Sequence, residues 1–111
     1  MKYRVTTSPV FDRQAKHLAK KYPSLKKNLT DLINLLSENP YAGILLFENV
    51  YKSRMGITCK NRGKSGGARI IYVNLFEKLI NDEIVLVAMY DKSEKSTMSD
   101  NEIIDIIKDT L

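Results

Sequence analysis

The first third of the chain repeats apolar residues with the period of an α-helix. Ser8-Pro9 is a typical helix start, because serine caps helices and proline is tolerated at the first helical position. The apolar positions that follow predict a first helix that ends at Tyr22-Pro23. They are Phe11, Ala15, Leu18, Ala19 and Tyr22. A second helix is predicted up to Asn39-Pro40, with its apolar face formed by Leu25, Leu29, Leu32, Ile33 and Leu36. The short link between them predicts a helical hairpin.

From residue 50 onward the pattern changes to that of β-strands. Residues 50–58 alternate, with Tyr51, Met55 and Ile57 on one side and Lys52 and Arg54 on the other. Residues 68–76 predict another strand. Residues 84–90 are almost wholly apolar, which is typical of a central strand buried on both faces. A short strand is expected at residues 2–7.

The C-terminal segment carries a capping box. Ser99 is followed three positions later by Glu102, a spacing that allows each side chain to bond the other's backbone N–H. A final helix therefore begins there, with Ile103, Ile104, Ile107 and Leu111 on one face.

This order of elements predicts one α+β domain over residues 1–111. A two-helix hairpin and a C-terminal helix must bury their apolar stripes, and the sheet is the available surface. We expect a mostly antiparallel four-stranded sheet. The length suits a single hydrophobic core.

Composition narrows the classes of function. The net charge of +5 favours a polyanionic or acidic partner. With one cysteine, Cys59, no internal disulfide can form, and the N-terminus has no apolar signal-peptide core. We expect a cytoplasmic protein with no membrane segment, cofactor or metal. His17 is the one histidine, so a nuclease that uses a histidine pair is excluded, as is a His/Cys metal site.

The strongest chemical signal is a basic segment at residues 50–76. It contains six cations and no carboxylate: Lys52, Arg54, Lys60, Arg62, Lys64 and Arg69. In a hairpin these cations come together, which favours a phosphate-binding surface. A solvated hairpin that keeps a sheet edge soluble is the alternative.

Three further features allow a functional and a structural interpretation. Residues 64–67 (Lys-Ser-Gly-Gly) could offer backbone N–H groups to an anion or form a flexible turn. Tyr72 could stack on a base or lie in the core. Residues 91–94, after the central strand, could transfer protons or form an ordinary loop.

Three segments together resemble the RelE/ParE toxin superfamily, and best its RelE-like branch. They are residues 51–54 (Tyr-Lys-Ser-Arg), 64–72 (Lys-Ser-Gly-Gly-Ala-Arg-Ile-Ile-Tyr) and 90–94 (Tyr-Asp-Lys-Ser-Glu). The order of elements agrees over nearly the whole chain. The segment Gly-Gly-Ala-Arg-Ile-Ile-Tyr is the most specific part.

The resemblance implies a toxin that is neutralised by a cognate antitoxin and that cuts messenger RNA in the ribosome. The 2′-hydroxyl attacks the adjacent phosphate, and basic residues replace a histidine pair. The family's basic pair on its second strand matches Lys52 and Arg54, and its arginine at the start of the third strand matches Arg69. Many RelE-like toxins carry another arginine where this chain has Ser93, so Lys92 is the candidate replacement.

The predicted catalytic set is therefore Arg69, Lys52, Arg54 and Lys92. The predicted RNA-binding set is Lys60, Arg62, Lys64 and Tyr72. A tyrosine that some members carry near the last helix has Ser99 in its place here. A ParE-like inhibitor of DNA gyrase, which binds without chemistry of its own, is the alternative function.

Overall fold

The computed structural model describes residues 3–60, 67–75 and 82–110. Its elements are β1 (Arg4–Thr7), α1 (Pro9–Lys21), α2 (Leu25–Glu38), β2 (Ile44–Phe47), β3 (Val50–Met55), a 3-10 turn (Thr58–Lys60), β4 (Ala68–Asn74), β5 (Glu83–Asp91) and α3 (Asp100–Thr110). Both predicted helix starts are confirmed. Ser8 Oγ accepts the N–H of Phe11, and Ser99 and Glu102 form the reciprocal capping box. In the described part of the chain, no helix has the length and apolar character needed to cross a membrane.

The strands form one five-stranded sheet in the order β1-β5-β4-β3-β2, with β1 parallel to β5 and the other pairs antiparallel. The prediction of four strands was wrong by one, because β2 was read as part of the loop after α2. Its four apolar residues are too few to show a period of two. The hairpin to β3 turns through Asn49, whose φ of 59° is a left-handed conformation that asparagine tolerates.

The helices cover opposite faces of the sheet. On the hairpin face, α1 and α2 bury Phe11, Leu18 and Leu36 against alternate residues of β3, β4 and β5. On the other face, here called the α3 face, Ile103 packs on Val87 and the neighbouring valines. The two faces together bury β5 at residues 84–91, and its unbroken apolar sequence at residues 84–90 predicts such burial.

A bulge in β5 decides which side chains reach which face. Val87 and Ala88 both belong to the α3-face core, and the register with β4 shifts at this point. Beyond the bulge the side chains alternate in the opposite phase. Met89 and Asp91 therefore lie on the hairpin face, and Tyr90 lies on the α3 face.

Beyond the end of β1, side chains of Ser8 and α1 supply hydrogen-bond partners to the backbone of β5. The hydroxyl of Ser8 donates to the carbonyl of Val87 at 2.6 Å, and the backbone N–H of Met89 donates to Oε1 of Gln14 at 2.7 Å. These bonds satisfy backbone groups that have lost their strand partner. They fix α1 against the bulge, and so fix the position of Tyr90 and Asp91.

Candidate functional site

A row of three polar side chains crosses the α3 face at the end of the sheet. In the strand register, Arg54 of β3 lies opposite Arg69 of β4, which lies opposite Tyr90 of β5. Directly opposite residues of antiparallel strands share a face. Lys52 lies one row further in, opposite Ile71, and is therefore diagonal to Arg69. The fold thus brings together three of the four predicted catalytic residues.

Two of these cations are accessible to solvent. Arg54 is exposed and Lys52 is half-buried. Within the described ranges, no carboxylate lies within ion-pair distance of either side chain. Like charges placed side by side on a sheet repel each other. The arrangement therefore favours an anion bound over this end of the sheet.

Arg69, which belongs to the predicted catalytic set, is buried. Its relative exposure is 4%, and Nη1 donates to the carbonyl of Ala68 at 3.2 Å. In the strand register it lies between Arg54 and Tyr90. Arg54, rather than Arg69, is the arginine that presents its guanidinium to solvent.

Gly67 serves the close pairing of β3 and β4. A Cβ at this position would collide with the carbonyl oxygen of Met55. For Gly67, the close approach of the two strands explains the need for glycine without a bound anion. The other residues of the predicted anion-binding turn, Lys64, Ser65 and Gly66, lie outside the described residues. The carbonyl of Gly67 accepts the N–H of Lys92 at 3.0 Å, which places exposed Lys92 at the same end of the sheet as the row.

The side chain of Lys60 is engaged within the protein. Its Nζ lies 2.9 Å from Oδ1 of Asp91, 3.4 Å from the hydroxyl of Ser93 and 5.1 Å from the centre of the Tyr22 ring. Its side chain is 11% exposed. The predicted contact between Lys60 and RNA is thus replaced in this structure by a buried ion pair on the hairpin face.

Asp91, the carboxylate of that ion pair, is fully buried. Burial alone disfavours its charge, but hydrogen bonds from the Tyr22 hydroxyl, Lys60 and Ser93 outweigh burial and hold the pKa of Asp91 well below its usual range. Lys21 Nζ lies 3.8 Å away. A carboxylate held so firmly in its charged form is suited to an electrostatic anchor and not to proton transfer.

The surroundings of Tyr72 rule out the predicted stacking on a base in this structure. Its relative exposure is 0%, and its ring stacks on Tyr51 with the centroids 5.4 Å apart. Its hydroxyl donates to the carbonyl of Pro40 and accepts the N–H of Gly43. Burial raises the pKa of Tyr72. Tyr72 is a core residue that fixes the loop before β2.

Four residues named in the sequence analysis remain. Arg62 and Lys64 lie outside the described residues. His17 is exposed on α1 and lies 3.2 Å from Glu94, and Cys59 is an exposed free thiol in the 3-10 turn. In the ranges 3–60, 67–75 and 82–110, no group of three or more His, Cys, Asp or Glu side chains is placed to hold a metal ion.

Sequence reasoning missed Tyr90 as a member of the row and Asp91 as the partner of Lys60. Tyr90 ends the apolar run at residues 84–90, and the face that it occupies depends on the bulge in β5. Asp91 was placed in a polar loop. The one available signal was its position as the single carboxylate directly after the buried strand, near a segment of six cations.

No protein-family model matches the sequence, and no curated protein matches it significantly. Among solved structures, the chain is similar to E. coli toxin RelE, determined as a double arginine-to-alanine mutant in the free state. The identity is 17%, the TM-score is 0.61, and the likeness covers all of both chains. At this identity the likeness establishes architecture alone. The chain therefore has the fold of RelE.

Proposed function

We propose that this chain is the toxin of a toxin–antitoxin pair and acts as an endoribonuclease that cuts messenger RNA at the ribosome. The observation that carries the proposal is the row of Arg54 and Arg69 with Lys52 beside it, in which no carboxylate of the described residues pairs with Arg54 or Lys52. A RelE-like fold over the full chain supports the same class of toxin.

The proposed reaction needs stabilisation of negative charge. The 2′-hydroxyl of one nucleotide attacks the adjacent phosphorus, the bond to the 5′-oxygen breaks, and the RNA is left with a 2′,3′-cyclic phosphate and a 5′-hydroxyl. Charge builds up on the phosphate oxygens in the transition state. In this proposal Arg54 donates two parallel hydrogen bonds to these oxygens, and Lys52 holds a neighbouring phosphate.

The other cations take supporting roles in this proposal. Arg69, opposite Arg54 in the strand register, adds positive potential to the site. Lys92 neutralises phosphate charge from the end of β5. Arg62 and Lys64 are proposed to contact RNA of the ribosome or message, whereas Lys60 anchors the start of their segment through Asp91. The cognate antitoxin, messenger RNA and ribosome are the proposed partners, in the cytoplasm.

The test is messenger RNA cleavage in a translating bacterial extract, with the cut sites mapped by primer extension and the new ends identified. Arg54→Ala is expected to slow cleavage by about 10²–10³-fold, the cost typical of losing one donor to transition-state charge. Arg13→Ala is the matched control. It removes the same charge from an exposed position on α1, on the opposite face, and should leave the rate unchanged.

Two further results bear on the assignment. Arg69→Lys keeps the charge but loses the planar guanidinium, and we expect a reduced rate with a small loss of stability. Cleavage by Arg54→Ala at the wild-type rate would remove Arg54 from the site. If expression in cells halts DNA synthesis before protein synthesis, with double-strand breaks, the chain is a gyrase inhibitor and the nuclease proposal is wrong.

A further inference from the structure

The cations at the end of the sheet can bind phosphate, but the tyrosines beside them are not open to a base. Tyr72 of β4 is 0% exposed and Tyr90 of β5 is 6% exposed, so neither ring offers a face for stacking in this structure. Proteins that bind single-stranded RNA contact the bases as well as the phosphates, by packing on base faces and hydrogen-bonding to base edges. A nucleotide whose phosphate lies at Arg54 therefore needs a second surface nearby for its base.

A groove of about 730 Å³ lies between α2 and the outer edge of β3. Lys52 and Arg54 line it on the sheet side, and Leu32 and Leu35 line it on the helix side. Its volume is within the usual range for small-molecule sites, which are mostly apolar with a few fixed polar groups. Leu35 is 49% exposed, so the apolar wall is open to a ligand. The groove thus adjoins the cations of the proposed RNA site.

The backbone of Arg54 supplies fixed polar groups to this groove. A Cβ on Gly43 would collide with the carbonyl oxygen of Lys52, so that carbonyl faces β2. Backbone groups of successive residues in an antiparallel strand face alternate sides, so those of Arg54 face the same outer side as those of Lys52. In the described part of the chain the pairing with β2 ends at Lys52, which leaves the N–H and C=O of Arg54 open to the groove. The carbonyl accepts a long hydrogen bond of 3.4 Å from the Ser53 hydroxyl and keeps a second lone pair.

We propose that this groove is a base-binding subsite, which holds the base of the nucleotide whose phosphate lies at Arg54. Arg54 then binds one nucleotide twice, through its guanidinium on the phosphate and through its backbone N–H and C=O on the edge of the base. Each RNA base carries a donor beside an acceptor on its Watson–Crick edge, and these match one N–H and one C=O. The faces of the base pack on Leu32 and Leu35. The inference rests on the proposed function, because it takes RNA as the ligand.

The polar side chains that α2 contributes to the groove already have partners. Asn28 Oδ1 accepts the backbone N–H of Thr58 at 3.2 Å, and the Asp31 carboxylate lies 3.0 Å from Lys27 Nζ. Recognition of the base therefore falls to the backbone of Arg54, which carries no preference among the four bases. Because the Watson–Crick edge must be free, the subsite accepts unpaired nucleotides and rejects base pairs. The substrate class is thus single-stranded RNA, with any base at this position.

Two small probes separate the base from the phosphate. Adenosine monophosphate and ribose phosphate are each titrated into isotope-labelled protein and followed by NMR. We expect the nucleotide to shift the backbone amide of Arg54 and the methyl groups of Leu35, and the ribose phosphate to shift the Arg54 guanidinium alone. The nucleotide should bind about tenfold more tightly, which corresponds to about 1.4 kcal/mol. Equal affinities, or Leu35 methyl groups that do not shift with the nucleotide, would overturn the proposal.

A matched pair of variants locates the base. Leu35 and Leu45 are both exposed leucines, but only Leu35 lines the groove. Leu35→Ser should weaken binding of the nucleotide about tenfold and leave binding of ribose phosphate unchanged, whereas Leu45→Ser should change neither. Thermal melting of both variants checks that they are folded. If Leu45→Ser weakens nucleotide binding equally, the base adheres to apolar surface in general and the groove is not the subsite.

A short single-stranded RNA distinguishes a subsite for RNA from a site for free nucleotides. A trinucleotide should bind more tightly than the monophosphate, because its further phosphate reaches Lys52, and a central abasic site should remove about tenfold of that affinity. Tighter binding of the monophosphate would make the groove a site for free nucleotides, and the proposal would be wrong. None of these measurements involves cleavage. Messenger RNA cleavage by a protein whose Leu35 methyl groups ignore the nucleotide would retain the nuclease and remove the subsite, and base-dependent binding without cleavage would do the reverse.

Discussion

At the scale of single residues, the pairing of Lys60 with Asp91 separates structural cations from functional ones. Lys60 belongs to the basic segment at residues 50–76, and Asp91 follows that segment at the end of β5. The two side chains neutralise each other on the hairpin face. Lys52 and Arg54 lie on the α3 face, where no described carboxylate reaches them. Asp91 reaches the hairpin face because side chains alternate along β5 beyond its bulge, and Lys60 reaches the same face from the 3-10 turn after β3.

Asp91→Asn should lower the free energy of unfolding by about 2–3 kcal/mol at neutral pH, because Lys60 loses a charged hydrogen-bond partner in a buried setting. Urea unfolding measures the loss. An exposed carboxylate, Asp109 of α3, provides the control through Asp109→Asn, which should change stability by less than about 0.5 kcal/mol. An equally small effect at Asp91 would show that the pair contributes no net stability.

The stability difference between wild type and Asp91→Asn should depend on pH. The pKa of Asp91 is depressed in the folded protein, so its contribution is complete above the unfolded-state value of about 4. It is lost as the pH falls below that value toward the folded pKa. The stability difference between wild type and Asp91→Asn should therefore be constant from about pH 5 to 8 and shrink below about pH 4. A difference that grows on acidification would contradict the assignment.

At the scale of elements, the contact between β3 and β4 decides whether the arginine row exists. Gly67 precedes β4 and approaches the Met55 carbonyl so closely that no Cβ fits. This approach keeps the two strands paired up to their ends, where Arg54 and Arg69 lie opposite each other. A separation of the strands here would move the exposed guanidinium away from the buried one.

Gly67→Ala should therefore destabilise the protein by about 1–3 kcal/mol, the range found when a well-packed site must admit an extra carbon. It should also slow RNA cleavage, since the row is displaced. Urea unfolding and the translating extract provide the two readouts. Ser96→Ala, at an exposed loop position, is the control and should affect neither. A stable, fully active Gly67→Ala would show that the strands separate without consequence for the site.

At the scale of the whole molecule, the cations that give the net charge of +5 lie on both faces of the sheet. The proposed RNA site lies on the α3 face alone. Cations on α1, such as Lys16 and Lys20, are exposed but stand on the hairpin side. Lys52 and Arg54 stand at the proposed RNA site. Removing either pair of cations lowers the total charge by the same amount. A difference in RNA binding between the two double variants therefore shows where on the molecule the RNA binds.

The joint variant Lys52→Ala and Arg54→Ala should reduce the slope of log affinity for single-stranded RNA against log salt by about 1.4, the value for two lost phosphate contacts. Lys16→Ala with Lys20→Ala should leave the slope close to that of the wild type. Filter binding at several salt concentrations measures both. Equal slopes for the two double variants would mean that RNA binds by diffuse attraction and not at the row.

Local patterns determined most of the elements. Ser8-Pro9, the apolar stripes of α1 and α2, the unbroken apolar run of β5 and the Ser99 capping box each specify an element through interactions within a few residues, and each is confirmed. The sequence also placed Lys52 and Arg54 on one strand face. These features depend on periodicity and capping, which require no knowledge of distant parts of the chain.

Tertiary structure decided which of these residues are available for chemistry. The bulge at Val87 is invisible to a pattern of uniformly apolar residues, yet it turns Asp91 toward Lys60 and Tyr90 toward Arg69. The burial of Arg69 is likewise a property of the folded sheet that the pattern of its own strand does not reveal. Accessibility and ion pairing depend on contacts between residues far apart in sequence, whereas helices and strands are specified by neighbours along the chain.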